Sequence, residues 1–188
     1  MRNFKTEGII IRRNNFKDAD RILTVMTRDH GKIAVRASGI RRIPSRRSPH
    51  VELLNHSVLS LYHGNNFPIL TEAQTIDSFS YLKEDLEKIG MAYHLCELVD
   101  GLCPENQENR AVFELLRKTF GRLASEEKVG EMIHEFEIEL LSMLGYLPAG
   151  RQGWNKQEFL TKDMDVDHFV ENIMERKLKS KNIFAKLQ

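Results

Sequence analysis

The chain has 188 residues, of which 41% are hydrophobic and 29% are charged, and its formal net charge is +1. This composition is typical of a soluble globular protein, and no apolar run approaches the roughly 18 residues that suggest a membrane span. The longest uncharged stretch near the start is Gly8–Ile11, which is too short for the core of a signal peptide. We therefore expect a cytoplasmic protein.

The small net charge conceals a strong asymmetry along the chain. Residues 1–50 carry a net charge of +9, residues 51–150 carry −10, and residues 151–188 carry +2. A basic block of this kind favours a polyanionic partner, of which nucleic acid is the commonest. The alternative is that the basic and acidic parts of the chain pack against each other.

Five short strands are predicted within the first 76 residues. The clearest alternation places Ile33, Val35 and Ala37 on one face of a strand, and Asp29–Gly31 forms a tight turn before it. The strand candidates are residues 8–14, 20–28, 32–38, 51–63 and 68–76. Five strands suffice for a closed barrel, and the OB-fold, which often binds nucleic acid, is the leading candidate. A small SH3-like barrel is the competing topology.

From residue 80 onwards the hydrophobic period becomes helical. One helix is predicted to begin at Ser80, a second to cover residues 112–123, and a third to cover about 129–144 with a stop at Gly145. A short fourth helix starts near Asp165 or Asp167 and precedes a basic tail. We therefore predict an α+β fold, with a five-stranded OB-fold barrel at residues 1–78 and an α-helical domain at residues 79–188.

The sequence carries no recognisable enzyme signature. Glu131 and His134 have the spacing used in di-iron bundles, but the second pair that such a site requires is missing, so we interpret them as a surface pair. Cys96 and Cys103 lack the spacing of zinc ligands and are interpreted as small core residues. We predict no catalytic residue, no metal and no cofactor.

The basic residues of the predicted barrel are the strongest functional signal. The loop GIRRIPSRRSPH, residues 39–50, contains four arginines and no acid. Arginine forks onto phosphate oxygens and stacks on bases, and phosphate contacts make binding salt-dependent. We predict a DNA-binding surface that contains Arg12, Arg13, Lys32, Arg36, Arg41, Arg42, Arg46 and Arg47. A solvated, flexible loop without a ligand is the alternative for the four loop arginines. We expect the loop to be mobile when no DNA is bound.

Three aromatic residues of the barrel are candidates for stacking on unpaired bases. They are Phe16, Tyr62 and Phe67. For each of them a position in the core of the barrel is the more frequent role.

Three stretches of the sequence resemble the RecO family of bacterial recombination mediators. Thr6–Arg42 has the family's apolar first strand, its Ala-Asp-Arg-Ile-Leu entry into the second strand, its His-Gly-Lys turn and its Gly-x-Arg-Arg ending. Phe136–Pro148 (FEIELLSMLGYLP) resembles the family's central helix, and Arg176–Lys181 (RKLKSK) resembles its C-terminal element. These matches span most of the chain in the family's order.

The resemblance implies a non-enzymatic DNA-repair protein with an N-terminal OB-fold and a helical domain. It implies binding of single- and double-stranded DNA, annealing of complementary strands, and help in loading recombinase onto coated single strands. The implied partners are RecR and the C-terminal tail of the single-stranded DNA-binding protein SSB, with RecA engaged indirectly and RecF as a further candidate. The implied location is the cytoplasm, in association with the nucleoid.

Two further expectations follow from the resemblance. An acidic tail ending in phenylalanine needs an apolar pocket rimmed by cations, and the candidates for such an SSB-tail site are Arg110, Phe113, Arg117 and Arg122. An ordinary core with a solvated face is the alternative for these four residues. Many family members insert a four-cysteine zinc module after the position of Tyr146, but this chain has no cysteine beyond Cys103, so we predict no zinc.

Two other classes of function compete with a DNA-binding mediator. The first is an interaction adaptor whose basic barrel binds an acidic protein. The second is a nuclease, which would need carboxylates or histidines grouped for a metal on the basic face. The acids of that region are Glu7, Asp18, Asp20 and Asp29, and they are interpreted as strand-end and turn residues.

Overall fold

A computed structural model describes residues 3–125, 128–147 and 166–180. Five strands come first in the chain, and a short 3₁₀ helix, Ser48–Val51, lies between the third and the fourth. The strands are β1 (Asn3–Phe16), β2 (Asp20–Thr27), β3 (Gly31–Ala37), β4 (His56–Tyr62) and β5 (Ile69–Asp77). The described helices are α1 (Ser80–Lys83), α2 (Leu86–Leu102), α3 (Arg110–Arg122), α4 (Val129–Met143) and α5 (Val166–Met174). None of them is long and apolar enough to cross a bilayer.

The five strands pair in the order β1-β2-β3-β5-β4, and β4 returns to β1 to close the barrel. All pairs are antiparallel except β3 with β5, which are parallel and meet where Arg36 lies opposite Ile69. The pairing between β3 and β5 is thus short, which is typical of the partly open OB-fold barrel. The predicted fold class, an α+β chain with a five-stranded OB-fold followed by helices, is therefore confirmed.

Strand β1 is buried on both faces, which explains its run of three isoleucines. A β-bulge between Ile10 and Arg12 shifts the register of the strand, and such a bulge redirects side chains. Ile10 packs inside the barrel with residues such as Leu23 and Leu59. Ile9 and Ile11 belong instead to a second apolar core that includes the helices. The outer face of β1 is thus the seam on which the helical part packs.

The helical part begins with a break that the sequence pattern did not predict. Instead of one helix from Ser80, the single turn of α1 is followed by α2 at Leu86. The carboxylate of Asp85 accepts hydrogen bonds from the backbone N–H groups of Glu87 and Lys88 at 2.9 and 3.2 Å. This side-chain cap fixes a new helix start. The predicted stop at Gly145 is confirmed, because α4 ends at Met143 and Gly145 has φ of +79°.

The second core joins barrel and helices in one apolar cluster. Phe113, Phe120 and Phe136 are almost completely buried in it together with Met26 of β2. The last strand ends at Asp77 and the first helix begins at Ser80, yet the shared core links the two parts. The division into domains at residues 1–78 and 79–188 stays a prediction.

Both cysteines are free and buried, as their interpretation as core residues predicts. Burial raises the pKa of the Cys103 thiol to about 11, and it also raises the pKa of the Cys96 thiol. A thiol with so high a pKa is a poor nucleophile and a poor metal ligand at neutral pH.

Candidate nucleic-acid interface

In an OB-fold the binding surface is the face of the second and third strands together with the loops that follow β1 and β4. In this chain those loops are residues 17–19 and 63–68. The long connection from β3 to β4 lies beside them, because Arg41 donates its backbone N–H to the carbonyl of Ala19 at 3.0 Å. Three loop segments therefore converge at one end of the barrel.

The first element of the site is a cleft between the two short loops, which we call the aromatic cleft. It contains all three aromatic residues that the sequence offers for base stacking, together with Arg36 and Lys17. The guanidinium carbon of Arg36 and the ammonium nitrogen of Lys17 each lie 5.6 Å from the centroid of the Phe16 ring. These are cation–π distances. The aromatic cleft is lined by Phe16, Lys17, Arg36, Tyr62 and Phe67, together with His63, Gly64–Asn66 and Ile69.

Arg36 is held in the cleft by Asp20. Its Nε and Nη2 atoms lie 3.0 and 2.7 Å from Oδ2 of Asp20, and the other carboxylate oxygen accepts the backbone N–H of Gly39 at 2.7 Å. The N–H of Gly39 and, after it, the guanidinium of Arg36 hold the pKa of Asp20 below its usual value. Asp20 therefore stays ionised and fixes the place where the next loop begins.

That loop, residues 39–47, is called here the arginine loop. Its two ends are anchored in the barrel, because Ile40 is fully buried and Arg47 donates to the carbonyls of Leu70 and Ser38 at 2.6 and 2.7 Å. Between these anchors the side chains of Arg41, Arg42 and Arg46 are exposed. They form no ion pair with any residue that the structure describes. The guanidinium of Arg41 reaches only the carbonyl of Asp18, at 3.3 Å.

The aromatic cleft continues into two grooves beside the arginine loop. A groove under the loop shares Arg36 with the aromatic cleft. A third groove, along β4 and β5, shares Arg46, Arg47 and Thr71 with the groove under the loop and adds Lys5 and His50. We call this continuous surface the basic band. It offers stacking faces at one end and guanidinium groups along its length.

Three of the predicted DNA-contacting residues lie away from both the basic band and the arginine loop. Lys32 is only 6% exposed, and its ammonium nitrogen donates to the backbone carbonyl of Asp100 in α2. Arg12 forms an ion pair with the same Asp100 at 2.9 Å, and Arg13 forms one with Glu52. Lys32 faces the helices because the segment after α2 pairs with β3, where Asn106 donates to the Lys32 carbonyl at 2.8 Å. At these positions the basic part of the chain does pack against acidic residues.

The structure separates the four predicted tail-docking residues of α3. Phe113 is fully buried, with its ring 5.6 Å from the imidazole of His56. Arg117 pairs with Glu114 at 3.0 Å, Arg122 pairs with Glu135 at 3.4 Å, and Arg110 is exposed at the start of the helix. Phe113 therefore cannot floor an open pocket on this face. The positions of these residues do not support a docking site on this face of α3, and the site stays a prediction.

A cavity at the seam combines apolar walls with a cationic rim, which is the composition expected of a docking site on α3. Ile11, Leu53, Tyr93 and Cys96 line it, and so do the cationic residues Arg12, Arg176 and Lys179, in a volume of about 230 Å³. Its acids are already engaged, because Asp100 pairs with Arg12 and Glu97 accepts the backbone N–H groups of Lys179 and Ser180 at 2.9 Å each. We call it the seam cavity. Sequence reasoning missed it because its walls come from four distant segments.

One group of side chains among the described residues has the composition of a metal site. His94, Glu137 and Asp167 bring ligand atoms within 4.8 Å of one another. However, the Nε2 of His94 lies 2.9 Å from Glu137 Oε1, and its Nδ1 lies 2.8 Å from the Ser180 hydroxyl. Both imidazole nitrogens are thus engaged, and the group ties the C-terminal segment to α2 and α4. Glu131 pairs with Lys128 at 3.1 Å, at the exposed surface that was predicted for it.

Comparison with known proteins identifies both parts of the chain. Residues 1–79 match the family model "Recombination protein O N terminal", and residues 83–156 match "Recombination protein O C terminal". A protein named DNA repair protein RecO in Roseiflexus sp. (strain RS-1) is 40% identical over 147 residues, which are 78% of this chain and 52% of that protein. Proteins of the same name from Symbiobacterium thermophilum and Dehalococcoides mccartyi (strain ATCC BAA-2266 / KCTC 15142 / 195) are 36% and 38% identical. They match over 78% and 80% of this chain, and the chain covers 58% and 59% of their lengths. It thus spans little more than half the length of these relatives.

Proposed function

The chain belongs to the RecO family of DNA repair and recombination proteins, and from this premise we propose that it binds DNA along the basic band without turning over a substrate. One observation carries the proposal. The aromatic cleft and the two grooves beside the arginine loop, which Arg42 and Arg46 line, form one continuous surface that combines stacking faces with groups able to bind phosphate. Proteins that hold single strands need this combination.

The geometry suggests how a single strand would be held. Unpaired bases would stack in the aromatic cleft on Phe16, Tyr62 and Phe67, each stack contributing about 1–3 kcal/mol. The backbone would then follow the basic band, with its phosphates near Arg41, Arg42 and Arg46. Phosphate contacts release counterions, so binding weakens as salt rises. Because guanidinium groups cancel the repulsion between two phosphate backbones, the same band would favour annealing of complementary strands.

We extend the proposal to a mediator role in recombination. The protein would anneal complementary strands, help to load RecA onto SSB-coated single strands, and work with RecR and, in some settings, RecF. Its place of action would be the nucleoid in the cytoplasm. Family membership supports these roles, and the partner contacts themselves are proposals.

The SSB tail is proposed to dock in the seam cavity rather than on α3. The cavity offers an apolar floor at Leu53 and Tyr93 for a phenylalanine side chain, and Arg176 and Lys179 for acidic groups. A peptide with the acidic, phenylalanine-ended chemistry of that tail should bind wild-type protein and lose affinity with Lys179→Glu. The matched control is Arg117→Glu on α3, which should bind as the wild type does. The reverse ranking would restore the α3 site.

Fluorescence anisotropy across a salt series tests the DNA-binding proposal. The protein should bind a labelled single strand, with a logarithm of affinity that falls linearly with the logarithm of salt concentration and a slope of about −0.7 per phosphate contact. The same titration with duplex ranks the two substrates. Partners captured equally after nuclease treatment, together with no DNA affinity at moderate salt, would favour an adaptor instead.

A further inference from the structure

The most exposed large hydrophobic side chain that the structure describes lies in the arginine loop. Ile43 is 103% exposed, whereas Leu86 and Ile76 are 65% and 51% exposed. Single exposed hydrophobic residues are common on soluble proteins, so exposure alone would mean little. The exposure of Ile43 becomes informative because of its position at the tip of a basic loop.

Two hydrogen-bonded turns present Ile43 at the tip of the loop. Arg42 donates its backbone N–H to the carbonyl of Gly39 at 3.1 Å, and Ser45 donates to the carbonyl of Arg42 at 3.0 Å. The second turn places Ile43 and Pro44 at its two central positions, and both are exposed. The loop is thus a short projection with an apolar end.

The apolar tip is flanked by cations on both sides. Arg41 and Arg42 precede it, Arg46 follows it, and the loop contains no acid. Guanidinium groups on both sides of the tip would reach phosphates on both sides of a groove. The groups that lie between those phosphates are the edges and stacked faces of the bases. Isoleucine and proline are among the residues that proteins insert between base steps from the minor groove.

We propose that Ile43 and Pro44 form an apolar wedge that inserts between neighbouring base pairs of duplex DNA. In this arrangement Arg41, Arg42 and Arg46 hold the phosphates on each side of the opened step. The inference rests on the proposed DNA-binding function and adds to it a direct contact with the bases of a duplex. An unstacked step would ease the opening or exchange of a strand, and insertion would be independent of sequence because it uses no hydrogen bond to a base.

Base unstacking in a duplex tests the wedge directly. The full chain is added to a duplex with 2-aminopurine at central positions, whose fluorescence rises when the base loses its neighbours. Wild-type protein should raise the fluorescence, and Ile43→Ala should abolish most of the rise and weaken duplex binding about tenfold. Ile43→Leu, which keeps the apolar volume, should restore most of both. The matched control Ile76→Ala removes an exposed isoleucine of β5 and should behave as the wild type does.

The outcomes separate the wedge from the DNA-binding proposal. Single-strand affinity of Ile43→Ala should stay within about twofold of wild type, because the cleft and the arginines are intact. Unchanged fluorescence and duplex affinity in Ile43→Ala, with binding still lost when Arg41, Arg42 and Arg46 are changed to alanine, would overturn the wedge alone. A wild-type protein that binds no DNA would overturn both. A tip that docks into a protein partner instead would give the first of these two results.

Discussion

The arginine loop and the seam between barrel and helices contain the same residue type in opposite settings. In the loop, Arg41 and Arg42 are exposed and without a carboxylate partner among the residues that the structure describes. At the seam, Arg12 and Lys32 converge on the carboxyl group and carbonyl of Asp100 in α2. A basic sequence block therefore divides into an exposed loop and a set of internal contacts. The two settings differ in whether the fold places a carboxylate within contact distance of the cationic side chain.

The aromatic residues repeat this difference. Phe113 at the seam is fully buried against His56, whereas Phe67 at the aromatic cleft is 38% exposed beside a loop. The first stabilises the fold, and the second is accessible for the base stacking that we propose. If the two regions have separate roles, a substitution in one should leave the property that depends on the other unchanged.

The largest effect is expected at the seam. The carboxylate of Asp100 lies 3.8 Å from the buried ammonium nitrogen of Lys32. Asp100→Ala removes this carboxylate and leaves the ammonium group with only a backbone carbonyl as partner, and breaking such a buried pair costs about 3 kcal/mol of unfolding free energy. Chemical denaturation measures this loss, and the affinity for single-stranded DNA of the folded protein should stay the same. As a control, Lys32→Met combined with Asp100→Ala should recover most of the stability. A stable Asp100→Ala variant that no longer binds DNA would place the seam in the binding site.

The next effect belongs to the arginine loop. Changing Arg41, Arg42 and Arg46 together to alanine should weaken single-strand binding about thirtyfold at 0.15 M salt and flatten the salt dependence. The matched double variant Arg12→Ala, Arg13→Ala removes two seam arginines and should change the affinity by less than about twofold. Anisotropy titration measures both. Equal losses in the two variants would erase the difference between the regions.

At the aromatic cleft we expect a smaller effect, which should reduce the affinity for single-stranded DNA more than the affinity for duplex DNA. Phe67→Ala removes one stacking face from an exposed position, so affinity for a single strand should fall about tenfold. Duplex affinity should change less, because paired bases are already stacked on each other. The fold should tolerate this substitution, and thermal unfolding provides the check. If single strand and duplex lose affinity equally, Phe67 does not stack on unpaired bases.

The smallest effect is a pH dependence of stability that His56 at the seam should produce near neutrality. Burial lowers the pKa of His56 below its unfolded value of 6.5, so the unfolded chain binds more protons between the two values. The free energy of unfolding should therefore fall as the pH drops below 6.5. His56→Gln should reduce this dependence. Asp20 in the cleft has a lowered pKa, so its contribution is present above pH 3.8 and is lost only as the pH falls through its folded-state pKa.

Much of the barrel could be predicted from the sequence, because alternation and turn residues are local signals. Such local signals predicted the five strands and, in the helical part, the stop at Gly145 and the burial of both cysteines. The five strands made the OB-fold the leading candidate over an SH3-like barrel, and the resemblance of Thr6–Arg42 to a known family implied the same fold. The break at Asp85 was missed, since a side-chain cap inside a helical pattern competes with a hydrophobic period that continues past it.

The site was predicted in part for a similar reason. The exposed arginines lie in one continuous loop, and a run of four arginines without an acid is visible in the sequence. The place of Lys32 was not visible, because alternation puts it on the outer face of β3 but does not reveal that residues 100–106 cover that face. Lys17 was overlooked as a member of the aromatic cleft. Its position beside Phe16, in the β1–β2 turn of an OB-fold, was the available signal.

Arginine footprinting tests the central claim most directly. The protein is treated with an arginine-selective dicarbonyl reagent with and without a saturating single-stranded oligonucleotide, and modification is quantified at each arginine by mass spectrometry. We predict that Arg41, Arg42 and Arg46 react in the free protein and are protected by DNA, while Arg12 and Arg13 react equally in both states. Protection of Arg12 and Arg13 with the arginine loop still reactive would contradict the account.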